Sequence, residues 1–252
     1  MAKKTESNIY TVIFAIIMVI IVGTLLAFLA SSLKPRITEN QRYEKQQNIL
    51  YAMGVHNNDG PNDVTFISTD KVGEVFNQYI IKQYVVQGNT FTEDDEAYLI
   101  DLAKEEAAAK RDASYEKRLP IFVGEKDGQT YYIVPMLGKG LWAAVWGYMS
   151  VNEDFIIQGA YFDHASETPG LGANIKERYF MDDFIGEHLL DENGNFAGVD
   201  VAKGNNDPLN LRKEDNKVDA LAGATITGDG ISAMIRNYMR AYLPHLKELK
   251  NQ

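Results

Sequence analysis

The sequence predicts an α+β fold carried on a single N-terminal transmembrane helix, and three observations point there. From Ser7 to Leu33 no charged residue interrupts "SNIYTVIFAIIMVIIVGTLLAFLASSL". Between residues 119 and 163, segments rich in β-branched and aromatic residues follow one another with glycine-bearing connections. The chain then closes on Ile231, Ile235, Tyr238, Met239, Tyr242 and Leu246, spaced three or four apart as on one face of a helix. Strand-forming and helix-forming segments that are grouped rather than alternating belong to the α+β class.

Composition narrows the function classes. With 252 residues, 45% hydrophobic and 24% charged, the chain has an ordinary globular make-up. It has no cysteine, which excludes disulfides, thiolate-held zinc and cysteine-ligated iron–sulfur clusters. A net charge of −10 speaks against nucleic acid, whose binders need a basic face.

Taken in order, residues 1–8 form a short cytoplasmic tail and residues 9–33 the transmembrane helix. As a helix that span is roughly 37 Å long, more than the ~30 Å hydrocarbon core of a bilayer. It exceeds the apolar core of a signal peptide, and no A-x-A site follows it. Lys3 and Lys4 before the span nearly balance Lys34 and Arg36 after it. The expected orientation puts the N-terminus inside and the bulk outside, since a long domain is translocated largely regardless of its charge.

Residues 34–118 are expected to form a membrane-proximal region of helix and strand that packs on a main domain, residues 119–252. A helix starts at Thr38 with Gln41 completing a capping box, and Gly54 stops it. "NNDGPND" is a turn cluster, "VTFIS" a strand, and "EVFNQYIIKQYVVQG" a strand with room for a short helix. A second capping box, Thr92 and Asp95, opens a helix through residue 118. Its Ala107–Ala109 face is too weakly apolar for a core, so it lies over a sheet or forms a wing that touches a partner.

Several motifs have plain structural readings. "GKGLWA", residues 138–143, matches a dinucleotide fingerprint, but "LWAAVWGYMSV" continues as a strand where that fingerprint needs a helix. It is a glycine turn, with Trp142 and Trp146 as large apolar anchors. His56, His164, His188 and His245 lack metal spacing, and Asp182, Asp183 and Glu187 read as a solvated acidic turn. No metal site and no catalytic constellation is expected.

Two stretches carry more. In "HASETPGLGA", residues 164–173, Pro169 and Gly170 suit the centre of a type II turn, and Gly170 and Gly172 flank Leu171. The backbone there can approach something flat while the leucine packs on it. In "DALAGATITGDGI", residues 219–231, the small residues Ala222, Gly223 and Ala224 leave Thr225 open. Thr227 is placed to cap the terminal helix. A helix N-terminus is also a phosphate site, and a threonine hydroxyl there can carry a phosphoester.

Asp219-Ala-Leu-Ala-Gly-Ala-Thr225 resembles the flavinylation motif D-x-x-(S/T/A)-G-A-T. With His164 to Gly172, "GKGLW" and the single anchor, the chain is similar to the covalent-FMN-binding NqrC/RnfG family, and within it to the type found in Na⁺-translocating NADH:quinone oxidoreductases. Ala222 stands where many members have serine or threonine. The resemblance implies FMN joined through its phosphate to Thr225 by a flavin transferase that reads Asp219, Gly223 and Ala224. It further implies an isoalloxazine ring lined by Glu167, Thr168, Leu171 and Gly172, with Gly170 and Trp142 among the cofactor-binding residues and Thr227 as the second-choice attachment site. The implied role is single-electron relay between redox centres of neighbouring membrane and flavin subunits, at the outer, periplasmic face of a bacterial inner membrane. Two other readings are the G-type subunit of an Rnf ferredoxin:NAD⁺ complex and, in a different class, a cofactor-free membrane-tethered assembly module. The long stretch 34–118 favours the NADH:quinone type over the Rnf type.

Overall fold

The computed structural model describes residues 8–207 and 209–251. Lys3, Lys4 and nearly all of the expected cytoplasmic tail lie outside the described residues. The chain divides into two compact units, Met1–Arg42 and Tyr43–Gln252. In the first unit the structure is helical, and residues from Ile9 to Ile37 leave their large apolar side chains exposed. This is the one helix among the described residues that is long and apolar enough to cross a bilayer, and it serves as the membrane anchor.

Helix α1 runs Asn8–Ala52 without a break, so no new helix begins at Thr38. The Thr38 hydroxyl donates back to the Lys34 carbonyl at 3.1 Å rather than capping. Pro35 lies inside the helix, where it removes one N–H, yet the strong helix formers on its C-terminal side carry the helix on. The stop at Gly54 is as expected. Gly54 has φ +77°, its N–H bonds to the Tyr51 carbonyl, and the Val55 N–H bonds to the Leu50 carbonyl, each at 2.9 Å. Those two bonds make a Schellman close.

In the second unit the elements are α2 (Val72–Tyr79), β1 (Ile80–Gln87), β2 (Thr90–Glu93), a 3₁₀ turn (Ala97–Leu99), α3 (Leu102–Arg111), β3 (Arg118–Lys126) and β4 (Gln129–Lys139). They are followed by β5 (Ala144–Val151), β6 (Ile157–His164), a 3₁₀ turn (Gly172–Lys176), α4 (Arg178–Asp182), β7 (Asp200–Ala202), β8 (Lys217–Asp219) and α5 (Thr225–Lys250). "VTFIS" is not a strand: its Thr65 is tied back to Asn57 and Asn58 instead of to a sheet edge. Thr92 lies in β2 rather than opening a helix. The cap of α3 is Asp101, whose carboxylate accepts the N–H groups of Ala103 and Lys104. Asp95, three residues after Thr92, completed a capping pattern, but pairing with β1 took that threonine.

The first six strands form one antiparallel sheet in the order β2-β1-β3-β4-β5-β6, while β7 and β8 make a separate parallel pair. Side chains alternate between the two faces, and the register tells which element covers which face. Tyr161 is paired with Tyr148, which is paired with Pro135; this face meets Tyr51 near the end of α1, with Tyr51 and Tyr161 rings 5.7 Å apart. Gly138 and Met136 lie on the other face, where Met234 of α5 sits directly over Gly138. The Tyr238 hydroxyl of α5 donates to Glu106 of α3 at 2.8 Å, so α3 shares this side. Phe162, paired through Gly147 with Met136, packs there on Phe180 and Phe184. With both faces covered, β4 reads "YYIVPM" and is buried throughout that run, without the alternation of a half-exposed strand.

Candidate functional site

Three segments distant in sequence meet at one end of the sheet: the turn between β4 and β5, the loop after β6, and the first turn of α5. The loop after β6 is built by a turn in which the Thr168 carbonyl accepts the N–H groups of Leu171 and Ala173, each at 3.1 Å. Gly170 takes φ +75°, the left-handed value that the third position of a type II turn demands. Leu171 is thereby turned outward, and its side chain lies beside Gly223 of the "GAT" loop.

Helix α5 begins at Thr225 with Ala224 as its cap, three residues before the expected cap at Thr227. Thr225 is exposed at the first helical position, and no side chain caps the turn, because Ala224 occupies the cap. Thr227 is therefore not a cap. It is 1% exposed and heads the inward stripe that continues through Ile231 and Ile235. A helix started at residue 225 puts Thr227 four residues before Ile231, so the periodicity already contained this answer. Asp219 ends β8 and is half-buried, while Gly223 has φ +71°.

Glu167 joins the segments. Its carboxylate is buried, and Oε1 accepts the Trp142 N–H at 3.0 Å while Oε2 accepts the Thr227 hydroxyl at 2.7 Å. Its own N–H donates to His164 Nδ1 at 3.1 Å. Burial alone would raise its pKa, but the Trp142 N–H, the Thr227 hydroxyl and further backbone donors in this turn outweigh it and hold the carboxyl below its usual range. Gly140 and Gly172 make room for it, since a β-carbon at either would fall 2.5 Å from one of the carboxylate oxygens.

At this end of the sheet the apolar side chains of Leu141, Trp142, Leu171 and Ile226 are all exposed. The expected role of Trp142 as a core anchor is overturned, because its indole is 67% exposed, whereas Trp146 is half-buried. The structure thus brings together Trp142, Glu167, Thr168, Gly170, Leu171, Gly172, Gly223, Ala224, Thr225 and Thr227. Sequence reasoning missed Ile226, which the earlier helix start turns outward, and gave His164 no role of its own although it opens the segment that carries the resemblance.

The acidic stretch after α4 is not a solvated turn. Glu187 is completely buried and its carboxyl is pushed up to about 7 by that burial, and Asp183 is pushed up to about 6 for the same reason. Among the described residues, no group of three or more histidines or acids is arranged to hold a metal ion.

Known proteins share these features. The FMN-binding domain family matches residues 140–240, the span containing the three segments. The C subunit of the Na(+)-translocating NADH-quinone reductase of Pseudomonas aeruginosa is 29% identical over 249 residues, covering 93% of this chain and 92% of that protein. The crystal structure of the same component from Parabacteroides distasonis is 32% identical and superposes with a TM-score of 0.69, covering 85% of this chain and 96% of that one. Shewanella oneidensis NqrC, 24% identical, shares the fold with a TM-score of 0.63 over 83% of this chain and 99% of its own. This chain therefore belongs to the family of C subunits of the Na⁺-translocating NADH-quinone reductases, a component of an enzyme complex with an FMN-binding domain at its C-terminal side.

Proposed function

We propose that this chain carries FMN covalently on Thr225 and relays single electrons between redox subunits of its complex. The observation that carries the reading is an exposed threonine hydroxyl on the uncapped first turn of a long helix, beside an exposed apolar rim. The residues fit the group. Free N–H groups and the helix dipole at the start of α5 favour a phosphate. Leu171, Trp142 and Ile226 offer apolar surface for a flat ring. In the attachment step the Thr225 oxygen bonds to the phosphorus of a flavin nucleotide, the bond from that phosphorus to its leaving group breaks, and the hydroxyl proton departs. The donor is a flavin dinucleotide: its pyrophosphate bond breaks, the other nucleoside monophosphate leaves, and a flavin transferase, for which Asp219, Gly223 and Ala224 are the recognised sequence, supplies the catalysis.

Once bound, FMN supplies the redox chemistry. The chain's part is to keep it: a phosphoester holds the flavin where free FMN is scarce, and the rim shields one side of the ring. The bulk of the chain would lie on the periplasmic face of the inner membrane, tethered by α1. Residues 34–118 would then be its membrane-proximal part and 119–252 its flavin domain, a division in which β1 and β2 extend the flavin domain's sheet.

Full-length chain co-expressed with a flavin transferase, then measured by intact mass and peptide mapping, tests the reading. A gain of one FMN less one water on the peptide holding Thr225 is expected. An unmodified mass, with the transferase active on a control substrate, would leave a cofactor-free tethered module.

A further inference from the structure

We propose that Glu167 is the positioning residue of the attachment site, a bracket that sets the direction of Thr225 and of the Trp142 rim instead of a group that meets the flavin itself. The inference rests on the reading that Thr225 carries FMN.

The resemblance places Glu167 among the residues lining the ring, but both its oxygens are occupied within the protein. Oε1 holds the β4–β5 turn through Trp142 N–H at 3.0 Å, with the Ala143 N–H further off at 3.5 Å. Oε2 holds α5 through the Thr227 hydroxyl at 2.7 Å. The side chain is 5% exposed and has little surface to offer a ligand. The donors that hold it are neutral, so the charge serves as a two-ended acceptor and not as half of an ion pair.

A buried carboxylate is a costly way to join two segments, since well-packed apolar residues often do as well or better. Its advantage is direction. Thr227 and Thr225 lie on the same helical turn, so a fixed Thr227 side chain fixes the angle at which the Thr225 oxygen leaves the surface. The Trp142 N–H, held by the other oxygen, fixes the turn that presents the indole. Engaging the Thr227 hydroxyl also leaves Thr225 as the exposed hydroxyl of "TIT". Glycine at both 140 and 172 clears the space for this one side chain.

The experiment follows attachment kinetics on the full-length chain in detergent, with purified transferase and a flavin dinucleotide. It reads the initial rate of mass gain on the Thr225 peptide and the visible circular dichroism of the attached flavin. Thr227→Val keeps volume but removes the hydroxyl, and Thr227→Ser keeps the hydroxyl. Thr227→Val and Glu167→Ala should slow attachment by about tenfold or more and alter the flavin dichroism, as expected when a reacting group is misdirected. Thr227→Ser should stay within about twofold of the wild type in rate. Should Glu167→Ala fail to fold, the Val and Ser pair decides alone. Thr227→Val matching the wild type in rate and dichroism, or Thr227→Ser as slow as Thr227→Val, overturns the bracket while wild-type loading keeps the attachment reading. A wild-type chain that takes no flavin on Thr225 removes both.

Discussion

The Asn210 amide donates to Glu187 Oε1 at 3.0 Å in the interior, and each side chain is left with one buried oxygen that has no partner, Glu187 Oε2 and Asn210 Oδ1. A protonated Glu187 can donate from Oε2, and Asn210 Oδ1 is free to accept, which agrees with a carboxyl pushed up to about 7 by burial. Lys213 and the Asn210 amide draw it down; Asp207 and Asp215 push it up. The folded state then binds more protons than the unfolded state between about 4.5 and 7. This group's contribution therefore makes stability fall as pH rises through that window.

Glu187→Gln places an amide where the proton stood and lets its nitrogen donate to Asn210 Oδ1. Denaturant unfolding at pH 8 should show the variant more stable than the wild type by ~1–3 kcal/mol, with the difference shrinking toward pH 5. A variant less stable than the wild type at pH 8 would contradict a protonated Glu187.

Glu105 should behave in the opposite sense. Its buried carboxylate accepts from Arg118 Nη2 at 2.7 Å, the Tyr115 hydroxyl at 2.7 Å and the Arg118 N–H at 3.0 Å. Burial works against its charge, but these donors win and hold its pKa below the usual range. Its contribution is full above the unfolded carboxyl pKa and is lost as pH falls through the folded one. Glu105→Ala should cost on the order of 2–3 kcal/mol at pH 7, less than a fully buried pair because Arg118 is half exposed and regains water. Thermal unfolding at pH 7 and pH 3 checks both the cost and its loss in acid.

Thr225→Val should separate attachment from folding. The side chain is exposed and makes no cap, so unfolding free energy should move by no more than about 0.5 kcal/mol. Covalent flavin should vanish from the intact mass. Flavin retained on Thr227 in this variant would contradict the burial of that hydroxyl.

Gly172→Ala tests the packing around the bracket. The added carbon would fall 2.5 Å from Glu167 Oε2 and 2.6 Å from Thr227 Oγ1, so one of them must move. A loss of about 1–3 kcal/mol is expected from overpacking, together with slower flavin attachment. Gly73→Ala, at a position with open space and, like Gly172, no positive φ, controls for the exchange of glycine for alanine without overpacking.

By itself the sequence determined the class, the anchor, the run of strands between 119 and 163, the buried stripe of α5 and the motif that holds Thr225. Those features are local: an uncharged apolar run, β-branched clusters between glycines, and side chains recurring at helical spacing. Where a hydrogen-bonding choice was open, tertiary pairing decided. Thr38 and Thr92 both carried capping patterns, yet one bonds back along a continuous helix and the other is drawn into a strand beside β1. Trp142 has the size of a core residue and stands outside, because the β4–β5 turn is held by its backbone N–H and not by its ring. Glu167 and Thr227 are separated by 60 residues, and no local pattern says that the carboxylate of one accepts the hydroxyl of the other. That bond exists because β6 ends and α5 begins at the same end of the sheet, a proximity created by folding.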